Sequence, residues 1–229
     1  EAAAYEQEQG ARLDDYDLAP SVHAKWWLDY GREMTDDRRT SLIVDPPDGR
    51  RPPRTDAARV AAQEERAYTE EHRYHSYENR TMTDRCLGTS LAGPPMRSGA
   101  YNNNVMIFQS PGYVTILNEM VHNARVIPID DTAKPPFPQY SGVSRGHWEG
   151  ETLVIETTNF SPKFPFRAGR GGAEAVGANR KLIERYRRVD EDTLEYEATI
   201  EDPDTFTRPW TISMPLYRST TSSPPTGAR

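Results

Sequence analysis

Glu119, His122 and Arg125 stand close together in the run NEMVHNAR, and a carboxylate, an imidazole and a guanidinium are the groups from which cofactor-free acid/base chemistry is built. Spacing decides what they can do together. On a helical turn Glu119 and His122, three apart, would share a face as a carboxylate-oriented base or as two metal ligands. On a strand they point to opposite sides, and Glu119 instead joins Asn123 and Arg125. The alternation through Tyr113–Leu117 favours the strand. Glu119 and Arg125 are then a charged pair beside Val121 and Ile127, either a structural ion pair or a substrate clamp. His122 falls with Met120, Ala124 and Val126, as a core imidazole or as a base, with Arg125 or Arg145 steadying developing negative charge.

Tyr101, Asn104, Arg145, His147, Trp148 and Asn159 are the candidate ligand-binding residues, because such side chains hydrogen-bond to and stack on small polar and aromatic molecules. Each has a structural reading too: cross-strand packing for His147 and Trp148, turn formation for Asn102–Asn104. His72 and His75 lie one turn apart on a solvated helix, where two ligands make a weak metal site. The G-x-S-x-G, G-x-G-x-x-G, P-loop and H-E-x-x-H signatures are absent from the sequence. No metal and no cofactor are expected.

The elements that must position these residues are mostly strands. In GHWEGETLVIETTNF, Gly146–Phe160, a turn at Glu149-Gly150-Glu151 leads into a strand with Leu153, Ile155 and Thr157 on one face and Thr152, Val154, Glu156 and Thr158 on the other. Val105–Gln109 and Tyr113–Leu117 flank Ser110-Pro111-Gly112 as a second hairpin, its second strand running on through Asn118–Ile129. Lys181–Val189, Thr193–Glu201 and Phe206–Met214 complete an antiparallel meander, which a twisted sheet resolves as a lipocalin-like barrel or a curled sheet. Thr55 caps a helix running to about Asn79, whose thin apolar face (Ala57, Val60, Ala61, Ala67, Tyr68) keeps it on the surface.

The chain therefore divides into an N-terminal arm (1–40), a strand, turn and surface helix packed on the body (41–99), a β-barrel-like body (100–216) and a flexible tail (217–229). Trp26 and Trp27 anchor the arm to the body or to another subunit, and 161–179 is the mobile loop of the body. The net charge of -7 argues against a nucleic-acid surface, and no apolar run of membrane-spanning length occurs. Cys86 is the one cysteine, so it has no internal disulfide partner and is expected as a buried thiol. The start, EAAAYEQEQG, lacks an initiator Met and fits a mature chain from which a signal peptide was removed, or a trimmed one.

RTSLIVDPPDGR (Arg39–Arg50), DRC (Asp84–Cys86), SPGYVTILNEMVHNARVIPID (Ser110–Asp130), RGHWEGETLVIETTNF (Arg145–Phe160) and DPDTFTRPW (Asp202–Trp210) resemble a family of uncharacterised secreted bacterial proteins. The resemblance implies a periplasmic or extracellular domain and brings no established activity. Family members run on into a second cysteine-bearing segment, which this chain lacks; a shortened C-terminus is implied. The expected function is binding of a small polar or aromatic ligand inside the β body, with cofactor-independent lyase- or hydrolase-like chemistry open. The alternative is a structural or assembly protein, homo-oligomeric or filamentous through Trp26 and Trp27, with no catalytic activity.

Overall fold

Two tight turns carry the hairpins. Pairing of Ser110 with Tyr113 leaves Pro111-Gly112 as the connection, and pairing of Glu149 with Thr152 leaves Gly150-Glu151. Gly112 and Gly150 take φ of 76° and 61°, a region that residues with a Cβ rarely occupy. The computed structural model describes residues 38–80, 84, 85, 87, 93–99, 101–130, 137–161 and 177–219. In chain order the elements are β1 (Ile43–Asp45), α1 (Asp56–His72), β2 (Val105–Ser110), β3 (Tyr113–Asn118), β4 (Asn123–Pro128), β5 (Val143–Glu149), β6 (Thr152–Thr158), β7 (Lys181–Arg188), β8 (Thr193–Glu201) and β9 (Trp210–Tyr217).

The strands form an antiparallel six-stranded sheet, ordered β1-β9-β8-β7-β6-β5, and a three-stranded sheet, β2-β3-β4. Alternation in the sequence becomes an inner face because the register aligns it across strands: Ile155, Glu184, Ala198 and Ile212 form one row, and Leu153, Tyr186, Tyr196 and Met214 the next. The opposite face carries a Glu156–Lys181 ion pair at 3.0 Å and a Thr199–Thr211 hydroxyl pair at 2.9 Å, although Val154 and Ser213 on it are buried. Val114, Ile116 and Ile127 of the small sheet pack onto the inner rows in a single core.

Among the described residues the backbones of the two sheets join at one edge. Ile129 bridges Gly146, and the Asp130 amide donates to the Gly146 carbonyl at 2.9 Å. At 146 a Cβ would lie 2.6 Å from Ile129 Cδ1 and 3.2 Å from Ile127 Cγ2, so glycine leaves room for these side chains at the seam. At the other edge β2 pairs with neither β9 nor β1, so the sheet curls without closing into a barrel.

Three local expectations need correction. The strand expected to continue from Tyr113 to Ile129 is two strands, divided at a one-turn 3-10 helix, Met120–His122, in which Val121 and His122 take φ of 53° and 52°. That turn resets the alternation: Arg125 and Ile127 point into the core, while Ala124 and Val126 face solvent. The long helix stops at His72, and Tyr77–Asn79 forms a separate 3-10 turn. Thr55 is the N-cap as expected, accepting from the Ala58 amide at 3.1 Å. No residue of α1 is buried; the helix is fixed at its start, where the Thr55 amide and hydroxyl donate to the Thr205 and Asp204 carbonyls at 3.0 and 2.8 Å. Finally, β9 begins at Trp210 rather than Phe206, which instead bridges Arg54. Trp26, Trp27, Cys86, most of the loop expected at 161–179 and the tail from 220 lie outside the described residues.

Candidate functional site

At the centre of the core, β7 places a carboxylate where its alternation calls for an apolar side chain: Leu182, Glu184 and Tyr186 all point inward. Glu184 is fully buried, and Arg125 of β4 meets it across the two sheets with a two-pronged contact, Nη1 to Oε2 at 2.6 Å and Nη2 to Oε1 at 2.9 Å. Tyr196 of β8 donates its hydroxyl to Oε1 at 2.8 Å and accepts from the Met96 amide at 3.0 Å. Burial alone would lower the pKa of Arg125, but the charge and hydrogen bonds of Glu184 outweigh it and raise it above its ordinary value. Burial first, then the charge of Glu184, pushes Tyr186 and Tyr196 well above the ordinary tyrosine value. The network joins β4, β7 and β8 to the buried Gly93–Met96 segment, in which the peptide bonds before Pro94 and Pro95 are cis.

Met96 is also a wall of the cavity that opens where β2 and β9 fail to meet. The cleft holds about 530 Å³, within the range of small-molecule pockets. Its apolar lining includes Val105 and Ile107 from β2, Leu194 from β8, and Met214 and Leu216 from β9. Residues at the mouth are charged but engaged: Arg218 Nε lies 3.2 Å from Asp192 Oδ1 and its Nη2 donates to the Glu191 carbonyl at 2.9 Å, while Arg188 Nη1 donates to the same carbonyl at 3.3 Å. Inside, Asn118 at the end of β3 is only 6% exposed, and its Nδ2 has no hydrogen-bond partner among the described residues. Leaving a buried polar group unpaired costs about 1–3 kcal/mol, so this amide is a donor available to whatever occupies the cleft, water or a ligand.

The structure separates the residues expected to work together. Glu119 does not pair with Arg125. It sits beside the cleft, where Oε2 accepts from the Asn104 side-chain amide at 2.9 Å and its own backbone amide donates to the Asn104 carbonyl at 2.9 Å, fixing a residue that lines the cavity. His122 is exposed in the turn and enters no enclosed volume with Ala124 and Val126. The reason is the left-handed pair Val121-His122, which no glycine or proline announces. Arg145 borders a groove between β4 and β5. His147 Nε2 lies 3.2 Å from Glu149, which Arg185 also contacts at 2.6 Å; the Arg185 hydrogen bond, then that of His147, lowers the Glu149 pKa. Trp148 is 46% exposed, and Asn159 donates to the Phe137 carbonyl at 2.9 Å. Tyr101 is half-buried and precedes the cleft-lining asparagines. Of the binding candidates, Asn104 therefore lines the cleft and Arg145, His147, Trp148 and Asn159 do not.

Sequence reasoning missed Asn118, Glu184 and Tyr196. For Glu184 a signal exists: a lone acid at an inward position of LIERY. Asn118 carries no such signal, because asparagine at a strand end reads as a turn former. No protein-family model matches this chain, and no curated protein or solved structure is significantly similar to it. The chemistry of the cleft thus rests on its own geometry.

Among the described residues no group of three or more His, Cys, Asp or Glu side chains is arranged to hold a metal, and no helix is long and apolar enough to cross a membrane. The cleft lining supplies no His, Cys or Lys among the described residues. It can enclose, orient and dehydrate a molecule.

Proposed function

We propose that this protein is a binding module that takes a small molecule into the cleft between β2 and β9 and, on the family resemblance, that it works in the periplasm or outside the cell. The observation that carries the reading is Asn118, an amide 94% buried on the wall of a cavity and without a partner for its nitrogen among the described residues. The apolar walls supply affinity by removing nonpolar surface from water, at about 25 cal/mol per Å². The amide supplies orientation. The cavity favours this reading over a structural role in which the interior is packed solid by its own side chains.

Leu216 shares the inward alternation of Trp210, Ile212 and Met214 and reaches the cavity. Leu216→Trp is expected to narrow the cleft and weaken binding of the neutral fluorescent probe N-phenyl-naphthylamine by about tenfold. The melting temperature should move by only a few degrees. Fluorescence titrations of both proteins check this; equal affinity for the probe, or no binding to the unaltered chain, would contradict the reading.

A further inference from the structure

We propose that the occupant of the cleft is an uncharged, flat, largely apolar molecule that carries one carbonyl-type oxygen at its inner end. The inference rests on the cleft being the ligand site and adds the chemical class that the site accepts. Three observations carry it.

The first is the inner wall. Asn118 lacks a partner at the nitrogen of its amide, and that nitrogen is a donor, so the complementary group is an acceptor oxygen. The terminal torsion of asparagine is broad, which lets the amide turn its N–H toward a group in the cleft without moving β3. Asn118 is only 6% exposed, so an acceptor bonded to it would be held largely away from bulk water.

The second is charge. Arg97, Arg188, Arg218, Glu191 and Asp192 all line the cavity; Arg188 and Arg218 make their contacts within the loop and strand end that carry the two acids, and Arg97 is itself engaged. Asp192 pairs with Arg218 and the Glu191 carboxylate stands in the same group, so the two acids offset most of the positive charge there. A carboxylate or ammonium group on a ligand would lose its hydration against Asn118, whose neutral amide does not offset that cost, an arrangement that burial disfavours. A neutral carbonyl loses far less.

The third is the character of the walls. Met96, Met120 and Met214, half of the six methionines in the chain, line this one cavity. Thioether side chains are unbranched and polarizable, and they make favourable contacts with aromatic rings while adjusting to ring shape. Together with Val105, Ile107, Leu194 and Leu216 they give the cavity an apolar stretch that suits a flat aromatic or conjugated body.

Three matched probes isolate these terms: naphthalene, acetylnaphthalene and naphthoate, each titrated against N-phenyl-naphthylamine bound to the full chain at neutral pH. Acetylnaphthalene is expected to bind about fivefold more tightly than naphthalene, the effect of one hydrogen bond, and at least about tenfold more tightly than naphthoate. In Asn118→Leu the advantage of acetylnaphthalene over naphthalene should disappear while naphthalene affinity is kept. The order of the three probes on the unaltered protein decides the matter even if Asn118→Leu does not fold. Naphthoate binding as tightly as acetylnaphthalene, or acetylnaphthalene no better than naphthalene, would overturn the inference and leave the cleft as a binding site. Failure of all three to displace the reporter, or undiminished binding to Leu216→Trp, would overturn the cleft itself.

Discussion

Arg125→Met is expected to cost about 3–5 kcal/mol of folding stability, because it strands a charged carboxylate in the core. Glu184 is fully buried and would lose both guanidinium contacts, keeping the Tyr196 hydroxyl at 2.8 Å and the more distant Tyr186 hydroxyl at 3.5 Å. Adding Glu184→Leu should recover most of the loss, since a buried ion pair replaced by apolar groups of similar size is commonly neutral or better. Arg187→Ala serves as the reference: its partner Glu195 lies on the solvated face and Arg187 is 54% exposed, so about 0–1 kcal/mol is expected. Denaturant melts of the three variants and the unaltered chain measure these differences. Equal costs for Arg125→Met and Arg187→Ala would mean that the pair is not buried as described.

The second large effect lies on the alkaline side. Tyr186 and Tyr196 have pKa values raised by burial and by the charge of Glu184, with Arg125 acting in the opposite sense, so in the folded chain both phenols keep their protons where an unfolded chain has lost them. Above about pH 10, the ordinary tyrosine value, the folded state therefore binds more protons than the unfolded state, and stability falls as pH rises. Below that pH their contribution is fully present. Each group accounts for about 1.4 kcal/mol per pH unit once the unfolded tyrosines have titrated, so the pair together gives a slope of roughly 2.7 kcal/mol per unit. Tyr196→Phe should halve the slope and, separately, lower stability at neutral pH by about 1–3 kcal/mol through the loss of its bonds to Glu184 and the Met96 amide. Urea melts at stepped alkaline pH read both quantities. A slope unchanged by Tyr196→Phe would remove Tyr196 from the account.

The antiparallel strands were legible because one rule governs them: where polar and apolar residues alternate, the register of a two-residue turn fixes the faces. Leu153, Ile155 and Thr157 point inward as their alternation requires, and β8 has the bounds that its sequence suggests. The rule fails in β2–β4, whose outer face is apolar as well. Met106, Phe108 and Val126 are each about half exposed or more, so hydrophobicity there does not tell inside from outside. A turn with two left-handed residues, neither of them glycine, then shifted the alternation by which His122 and Arg125 were assigned. Arg125 found its carboxylate on β7, far along the chain, because cross-sheet partners are set by packing and not by spacing. Asn104 was the binding candidate placed in the cleft, and Glu119 supports it from the adjoining turn. The Gly93–Met96 segment carries two consecutive prolines, which by themselves suggest a surface loop, yet it is buried. Its burial depends on contacts such as the Met96 bond to Tyr196, which no local pattern encodes.

The most direct test of the binding cleft is a nuclear magnetic resonance titration of the nitrogen-labelled full chain with acetylnaphthalene, following backbone and side-chain amides together. The side-chain amide of Asn118 should shift with the backbone amides of Val105, Ile107, Leu194 and Leu216, which border the same cavity, while those of α1 and of the outward-facing Glu156–Lys181 pair stay in place. Shifts confined to α1 or to the outer faces of the sheets, with Asn118 unmoved at saturation, would contradict it.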